Sequence, residues 1–337
     1  MKGYAVFILI VACLLLLIPA LTLPRAQSAS APPDNEPLSS VTDPPDSASS
    51  IPQDTSTDEP IFKMLVGDTV VALPRREFLI RTLAFEMSPT YHEEALKAQA
   101  VAAYTYYGRR VRAYTANPDP TLKGAHFTTP DSKFPQEYTT DKLRERWGNK
   151  FEEYYAKICA AVDAVTDKYI TYNGAWIDAC YFAMSNGTTE TAKTVWGNDV
   201  PYLQSVASEG DKLATNYRTS LSLTTEQVKT ALAAYADPPT LGDNPAKWFG
   251  EPTMSAAGTV ASIPVGDKTL AGTAVRSALK LRSATFGVAY ADGCFTFTVC
   301  GYGHGVGMSQ VGANYLAKQG YTWQKILQYY YKGVTIE

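Results

Sequence analysis

Residues 74–114, PRREFLIRTLAFEMSPTYHEEALKAQAVAAYTYYGRRVRAY, carry the pattern that decides the fold of this chain. Between Phe78 and Phe85 apolar residues recur at the spacing of one helix face. Ser88-Pro89 interrupts this pattern, because a proline pushes the residue before it out of the helical conformation. The alanine-rich run from residue 93 to about residue 114 consists of strong helix formers. The stretch therefore predicts two helices that meet at a short break.

The segments on both sides of this helix pair predict a mixture of strands and helices. Residues 61–73 predict one or two strands around a Gly-Asp turn. Further strands are predicted in 176–183, in 201–208 and in the β-rich run 259–300. Further helices are predicted in 141–166 with a break at Gly148, and in 224–235, 272–279, 309–319 and 323–331. Because strands and helices do not alternate regularly, an α+β fold is favoured over a doubly wound α/β fold. We expect mixed helices and antiparallel-rich sheet in a single extracytoplasmic domain, with a division into two lobes left open.

The N-terminal segment predicts a membrane anchor. Tyr4–Leu23 is an uncharged apolar stretch of 20 residues, the length that spans a bilayer as a helix. This is longer than the apolar region of a typical cleavable signal peptide, although Ala29-Ser30-Ala31 leaves cleavage open. Lys2 biases the N-terminus toward the cytoplasm. We therefore expect residues 1–25 to be a single-pass anchor of a protein whose remaining chain lies outside the cytoplasm.

The following segment differs from the rest in charge and composition. Residues 26–60 are rich in Pro, Ser and Asp and contain seven acidic residues but no Lys or Arg. Such a segment buries too little apolar surface to offset its ordering entropy, so we expect a disordered tether. The folded domain then spans 61–337. It is nearly neutral and has no Lys/Arg run, which disfavours nucleic acid as a partner.

Glu86 is the first candidate for chemistry. It stands on the last turn of the first predicted helix, just before the break, where a cleft could form. Shelter beside Phe85 and Met87 would suit its carboxyl group to general acid catalysis. A helical glutamate is more often solvated or ion-paired, so the local pattern leaves both roles open.

Residues 301–310, GYGHGVGMSQ, form the second candidate. Four glycines let this backbone approach a ligand closely. His304 stands between two of them, and Ser309 and Gln310 open the next predicted helix. The alternative is a tight connection from strand to helix with an incidental histidine. No Gly-Lys-Ser/Thr follows, so this is not a phosphate-binding loop.

A third cluster follows Tyr181. Ser185, Asn186 and Glu190 lie at a predicted strand-to-turn point, where their polar groups could meet a sugar. An ordinary Asx-type turn would explain the same residues.

The sequence gives no support for a metal or a serine hydrolase. Cys294, Cys300 and His304 have a spacing unlike that of established zinc sites, and the three histidines are far apart. No GxSxG elbow is present. We expect no cofactor. Whether Cys159, Cys180, Cys294 or Cys300 forms a disulfide is left open.

Two of these motifs resemble signatures of the SpoIID family. Glu86-Met87 followed by Glu94–Ala103 (EALKAQAVAA) is similar to the family pattern EM…EALKAQAVAARTY, and 301–313 (GYGHGVGMSQVGA) is similar to GHGVGMSQ-x-GA. Leu281-Arg282-Ser283 also recurs in similar order. The resemblance covers roughly 61–337. The chain departs from the family at Tyr104, where an arginine is usual.

The resemblance implies a lytic transglycosylase that cleaves peptidoglycan strands stripped of their stem peptides during sporulation engulfment. The family's catalytic acid corresponds to Glu86, and its chemistry leaves 1,6-anhydro-muramic acid ends. The implied partners are the amidase SpoIIP and SpoIIM, and the implied location is the septal or engulfing membrane of the mother cell. The expected substrate-binding residues are Lys97, Gln99, Tyr181, Ser185, Asn186, Glu190, Arg282, His304, Ser309 and Gln310. The alternative function is a non-catalytic module that binds peptidoglycan or stimulates an amidase.

Overall fold

A computed structural model describes residues 60–129 and 134–337. The anchor predicted for residues 1–25 and, apart from Pro60, the tether predicted for 26–60 lie outside these ranges. Within them, no helix combines the length and the apolar character that a membrane span requires.

The described ranges contain helices and short strands in mixed order. The α-helices are α1 (Arg75–Glu86), α2 (Glu93–Ala116), α3 (Thr140–Trp147), α4 (Phe151–Asp163), α5 (Ala192–Trp196), α6 (Thr225–Ala233), α7 (Gly272–Leu279), α8 (Gln310–Lys318) and α9 (Trp323–Tyr330). The strands are β1 (Ile61–Val66), β2 (Thr69–Pro74), β3 (Phe127–Thr128), β4 (Ile170–Tyr172), β5 (Ala175–Trp176), β6 (Tyr181–Phe182), β7 (Arg218–Thr224), β8 (Thr253–Met254), β9 (Val260–Val265), β10 (Lys268–Ala271), β11 (Phe286–Ala291), β12 (Cys294–Cys300), β13 (Met308–Ser309) and β14 (Thr335–Ile336). Short 3-10 helices occur at Pro120–Leu122, Gln136–Tyr138, Gly148–Lys150, Glu209–Leu213 and Pro245–Lys247.

The pair α1 and α2 is confirmed, with the break where the sequence predicts it. Helix α1 buries Phe78 and Leu83, and α2 packs closely because its five alanines from Ala95 to Ala103 are buried. Thr90-Tyr91-His92-Glu93 has the Thr-x-x-Glu spacing of a capping box, but α2 begins differently. His92 is the N-cap, and its Nδ1 accepts a hydrogen bond from the backbone N–H of Glu94 at 3.2 Å. The imidazole thus satisfies one of the free N–H groups of the first turn.

The strands form small sheets that are mostly antiparallel. In the described ranges the orders are β2-β1-β3, β10-β9-β8, β11-β12-β7 and β14-β4-β5, with a separate pair β6-β13. Only β1/β3 and β6/β13 run parallel among these pairs. The prediction of an α+β fold with antiparallel-rich sheet is therefore confirmed.

The strand predicted over residues 201–208 is wrong. In this segment Ala207 makes only an isolated bridge to Thr188, and Leu203 closes a turn on Val200. Leu203 and Val206 are buried. The apolar residues that suggested a strand are thus a loop packed against the core, a distinction that short apolar runs do not make by themselves.

Two hydrophobic cores organise these elements. The first is built from residues within 62–206 and 306–334 and includes both α1 and α2. The second is built from residues within 228–299, where the buried side chains alternate along β12 at Phe295, Phe297 and Val299. The C-terminal segment returns to the first core through β13 and α8.

Candidate active site

The structure brings Glu86 and the glycine-rich loop together. Glu86 is the last residue of α1, and its carboxylate Oε2 accepts a hydrogen bond from Nε2 of Gln310 at 3.0 Å. Gln310 opens α8 directly after β13, which pairs in parallel with β6. Two motifs 224 positions apart in the sequence therefore meet at one carboxylate.

Gln99 completes this contact from α2. Its side chain is fully buried, and its Oε1 lies 3.5 Å from the same Nε2 of Gln310. Its own Nε2 has no hydrogen-bond partner within the described ranges. Buried amide donors without a partner are rare in native proteins, so this one is available to a ligand atom or an ordered water.

Two buried tyrosines face Glu86. Burial raises the pKa of the Tyr181 hydroxyl well above its usual value, and the negative charge of Glu86 adds to the rise. Burial also raises the pKa of Tyr107, with Tyr106 and Glu86 as further causes. Both phenols therefore stay protonated at neutral pH. The charge of Glu86 thus acts on both buried phenols.

Asp211 is a site residue that the sequence did not reveal. It is fully buried, and its carboxylate accepts hydrogen bonds from the backbone N–H of Ser185 (2.7 Å), the hydroxyl of Ser185 (2.6 Å) and the hydroxyl of Ser309 (2.7 Å). Burial raises the pKa of Asp211, and the serine hydrogen bonds oppose that rise. Asp211 thus links the middle motif to the C-terminal motif. Asp211 lies in the short 3-10 helix Glu209–Leu213, and no motif in the surrounding sequence signals this role.

Ser309 also holds the start of α8. Its Oγ accepts a hydrogen bond from the backbone N–H of Gly312 at 3.1 Å, so it is the N-cap of that helix. The structure places Ser185 and Ser309 around Asp211, and their predicted contact with substrate stays a prediction. The hydrogen bonds of Ser309 to Asp211 and Gly312 hold the start of α8, and Gln310 is the first residue of that helix.

Gly312 packs against buried side chains so closely that a larger residue does not fit. A Cβ at this position would lie 2.1 Å from the hydroxyl of Tyr330 and 2.2 Å from the hydroxyl of Ser208, which are 2.8 Å apart and buried. We expect Gly312→Ala to lower the free energy of unfolding by about 2–3 kcal/mol, as overpacking of a tight core does. Urea unfolding of full-length protein measures this. Gly287→Ala is the matched control, because a Cβ there meets no atom within 4 Å. Equal stability of the two variants would contradict the packing described here.

His304 is held by backbone groups at both ring nitrogens. Its Nδ1 accepts a hydrogen bond from the N–H of Val306 at 3.1 Å, so the ring proton is on Nε2, which donates to the carbonyl of Tyr181 at 3.1 Å. Burial lowers the pKa of His304 to about 3, and the charge of Arg276 contributes to this. A neutral imidazole therefore ties the glycine-rich loop to β6. Gly307 lets the loop approach the residue before β6, because a Cβ at this position would lie 2.1 Å from the carbonyl oxygen of Cys180.

His304 also lines a cavity between the two cores. The cavity has a volume of about 110 Å³, and its lining includes Asn186, Glu190 and Arg276. Glu190 is buried and accepts hydrogen bonds from the hydroxyls of Ser255 and, at 2.6 Å, Thr259. The lining of this cavity is partly polar, and the cavity has room for several water-sized groups.

The segment around Asn186 is the Asx-type turn that the sequence left open. The Oδ1 of Asn186 accepts a hydrogen bond from the N–H of Thr188 at 3.1 Å, which closes the turn. Its Nδ2 donates to the carbonyl of Ala257 at 2.8 Å. Asn186 thus joins the first core to the turn before β9.

Lys97 contacts Glu94, and Arg282 contacts Tyr302. Lys97 forms an ion pair with Glu94 at 2.7 Å, and the other carboxylate oxygen of Glu94 accepts the N–H of Trp323 at the start of α9. The guanidinium of Arg282 lies over the ring of Tyr302, 4.4 Å from its centroid. Their predicted roles at the substrate stay predictions.

The cysteines of the described ranges form no disulfide with one another. Cys294 and Cys300 stand at opposite ends of β12, and both are free thiols, as are Cys159 and Cys180. No group of three or more His, Cys, Asp or Glu side chains suited to a metal ion occurs in the part of the chain that the structure describes.

Comparison with known proteins identifies the family. The family model described as "SpoIID: Stage II sporulation protein" matches residues 67–172. Stage II sporulation protein D of Bacillus subtilis (strain 168) is 34% identical over 341 residues, which cover 100% of this chain and 96% of that protein. Stage II sporulation protein D of Bacillus amyloliquefaciens is 35% identical, with 80% of this chain and 75% of that protein covered. The amidase enhancer of Bacillus subtilis (strain 168) is 24% identical over 74% of this chain and 39% of its own length. The resemblance seen in the two motifs is confirmed, and the chain belongs to the stage II sporulation protein D family.

Proposed function

We propose that this chain is a lytic transglycosylase that cleaves the glycan strands of peptidoglycan during sporulation, with Glu86 as its single acid and base. The observation that carries the proposal is the hydrogen bond between Glu86 and Gln310. It joins the two motifs of the family resemblance at a carboxyl group that lies against the buried tyrosines Tyr107 and Tyr181. The relatives named stage II sporulation protein D support the role in sporulation.

One carboxyl group is enough for this reaction. The protonated Glu86 gives its proton to the glycosidic oxygen as the bond from that oxygen to the anomeric carbon breaks. The 6-hydroxyl of the same muramic acid then bonds to the anomeric carbon and passes its proton to the Glu86 carboxylate. The products are a new sugar end and a 1,6-anhydro ring, and the enzyme returns to its starting state. No water is consumed, so no second carboxylate is needed to activate one.

The buried carboxylates near the motifs, Asp211 and Glu190, have different surroundings from Glu86. Asp211 is surrounded by serine donors and Glu190 by Ser255 and Thr259. These hydrogen bonds fix the loops of the first core and the β8–β9 turn. We therefore assign the proton transfers to Glu86 alone.

The proposal includes partners and location. Its substrate is a glycan strand from which an amidase, SpoIIP in the family, has removed the stem peptides, and SpoIIM is the third member of the assembly. The N-terminal apolar segment would hold the chain in the engulfing membrane of the mother cell, with the catalytic domain outside the cytoplasm. A nearly neutral folded domain suits a weakly charged glycan.

Digestion of isolated glycan strands tests the proposal. The full-length protein in detergent is incubated with strands that an amidase has stripped of peptides, and in parallel with untreated strands. We expect products with anhydro-muramic acid ends, identified by mass spectrometry, and faster cleavage of the stripped strands. Absence of cleavage of both substrates would reject the enzyme assignment.

A second candidate function is stimulation of an amidase without cleavage of glycan. The relative named amidase enhancer favours it, since it matches 74% of this chain. In this case the protein would raise the rate at which a partner amidase releases stem peptides and would leave the glycan intact. The same incubation with the amidase present distinguishes the two functions by its products.

A further inference from the structure

Arg282 carries a positive charge that no carboxylate of the described ranges neutralises. Its Nε is buried and has no hydrogen-bond partner there, and its guanidinium forms no ion pair with an Asp or Glu of the same ranges. By contrast, two cations on α2 are paired, Lys97 with Glu94 at 2.7 Å and Arg110 with Asp178 at 3.3 Å. Buried N–H groups without an acceptor are rare in native proteins. The partly exposed guanidinium of Arg282 is therefore available to an anion that binds from outside.

The guanidinium of Arg282 is held by an aromatic ring. It lies over Tyr302, 4.4 Å from the centroid of the ring. Tyr302 is itself fixed by two backbone hydrogen bonds with Met184, at 2.7 and 3.0 Å. Contact with an aromatic face uses the charge of a guanidinium and leaves its N–H groups to other acceptors. These N–H groups form the planar fork that binds the two oxygens of a carboxylate.

The backbone of Arg282 is attached to the glycine-rich loop. Its carbonyl accepts a hydrogen bond from the N–H of Gly303 at 2.9 Å. Seven positions further along the same loop, Gln310 contacts Glu86. This length of chain spans at most about 25 Å even when it is extended, and glycines with positive φ bend it. A strand of several sugars can therefore contact both Glu86 and Arg282.

Removal of the stem peptide creates an anion on the glycan. In untreated strands the lactyl group of muramic acid is joined to the peptide by a neutral amide bond. An amidase hydrolyses this bond, so that water is consumed, the amine leaves with the peptide and the carboxyl group stays on the sugar. A carboxyl group of this kind is ionised at neutral pH. Stripped strands thus differ from untreated strands by the group that a guanidinium recognises.

We propose that Arg282 gives this chain its preference for stripped strands by binding the lactyl carboxylate of a muramic acid, with Tyr302 holding the guanidinium in place. The proposal rests on the proposed function and names the chemical group behind the substrate contact predicted for Arg282. An amide in the position of the carboxylate would leave the charge of Arg282 without a counter-ion.

A binding measurement without cleavage tests this role. Full-length protein carrying Glu86→Gln, in detergent, is bound to immobilised stripped strands, which then stay intact. In a second sample of the same strands, methylamine and a carbodiimide convert the carboxylates into neutral methylamides. We expect the stripped strands to bind about 10- to 100-fold more tightly than the amidated strands, as a charge-assisted bidentate pair provides. Addition of Arg282→Gln should reduce binding of the stripped strands to the level of the amidated strands.

Two further variants separate the fork from general charge. Lys280→Gln removes an exposed positive charge two positions earlier in the chain and is the matched control, which should keep the full preference. Arg282→Lys keeps the charge but loses the planar fork, so it should keep only part of the preference. Arg282→Lys replaces Arg282→Gln if thermal unfolding shows that the latter does not fold. Free N-acetylmuramic acid should displace the stripped strands more effectively than N-acetylglucosamine does.

The proposal and the proposed function fail in different ways. Equal affinity for stripped and amidated strands, or equal losses in Arg282→Gln and Lys280→Gln, would overturn the proposal. Displacement by inorganic phosphate as effective as that by N-acetylmuramic acid would show a general anion site and would also overturn it. Equal cleavage of both samples by the wild type would support the proposed function and contradict the role of Arg282. A preference that depends on Arg282, in a protein whose wild type cleaves no glycan, would reject the proposed function and leave carboxylate binding standing.

Discussion

Glu86→Gln is expected to lower the rate of glycan cleavage by about 10³-fold or more, at the upper end of the contribution of general acid–base catalysis. The amide has the shape of the carboxyl group but can neither give nor take a proton on the catalytic time scale. The carbonyl oxygen of the new glutamine can still accept the hydrogen bond of Gln310, so the site should remain assembled. The measurement is the release of anhydro-ended products from peptide-free strands.

The control for this variant is a glutamate close in sequence. Glu93→Gln changes a carboxylate in the first turn of α2 whose side chain is 65% exposed and only distantly paired with Lys97. We expect it to cleave at close to the wild-type rate, because an exposed ion pair contributes little. Activity of Glu86→Gln within tenfold of the wild type, with its fold intact by thermal unfolding, would remove Glu86 from the mechanism.

Asp211→Ala is expected to give the largest loss of stability. The change leaves the N–H and hydroxyl of Ser185 and the hydroxyl of Ser309 without their acceptor in a buried site. Removing one partner from such a group costs roughly 3–5 kcal/mol. In Asp211→Asn the amide oxygen can accept both hydrogen bonds of Ser185, and its NH₂ can donate to Ser309, so we expect a loss of about 1 kcal/mol at most. Urea unfolding of the two variants measures the difference, and equal losses would contradict the role of Asp211 as an acceptor.

The effect of Asp211 should also depend on pH. Burial raises the pKa of Asp211 above its ordinary value of 3.8, so the folded protein binds this proton more tightly than the unfolded chain. The resulting stabilisation is complete below the ordinary value and is lost as the pH rises through the folded value. The free energy of unfolding of the wild type, relative to Asp211→Asn, should therefore fall between about pH 3 and neutral pH. A constant difference between the two proteins over this range would show that burial does not shift this carboxyl group.

Local patterns in the sequence predicted much of the fold. The break at Ser88-Pro89 and the helix at 272–279 were predicted correctly, because helical spacing and proline act within a few residues. The same reasoning failed at 201–208, where an apolar run packs as a loop. Such runs are decided by tertiary contacts rather than by their own spacing.

The site was predictable only in part, because it also depends on tertiary contacts between distant segments. Glycines around His304 and the glutamate before the helix break pointed to the correct motifs. The contact of Gln310 with Glu86 joins distant segments, and the role of Asp211 depends on Ser185 and Ser309 converging on it. No spacing along the chain encodes these contacts. The backbone partners of His304 were equally hidden, and they explain a glycine-flanked histidine without any ligand.

Cleavage in water enriched in ¹⁸O tests most directly whether one carboxyl group does this chemistry without a water nucleophile. The full-length protein digests peptide-free glycan strands in H₂¹⁸O, and the new muramic acid ends are weighed by mass spectrometry. An intramolecular ring closure assisted by Glu86 predicts ends that carry no ¹⁸O and are lighter than a hydrolysed end by one water. Incorporation of one ¹⁸O atom at each new end would show hydrolysis and contradict the mechanism.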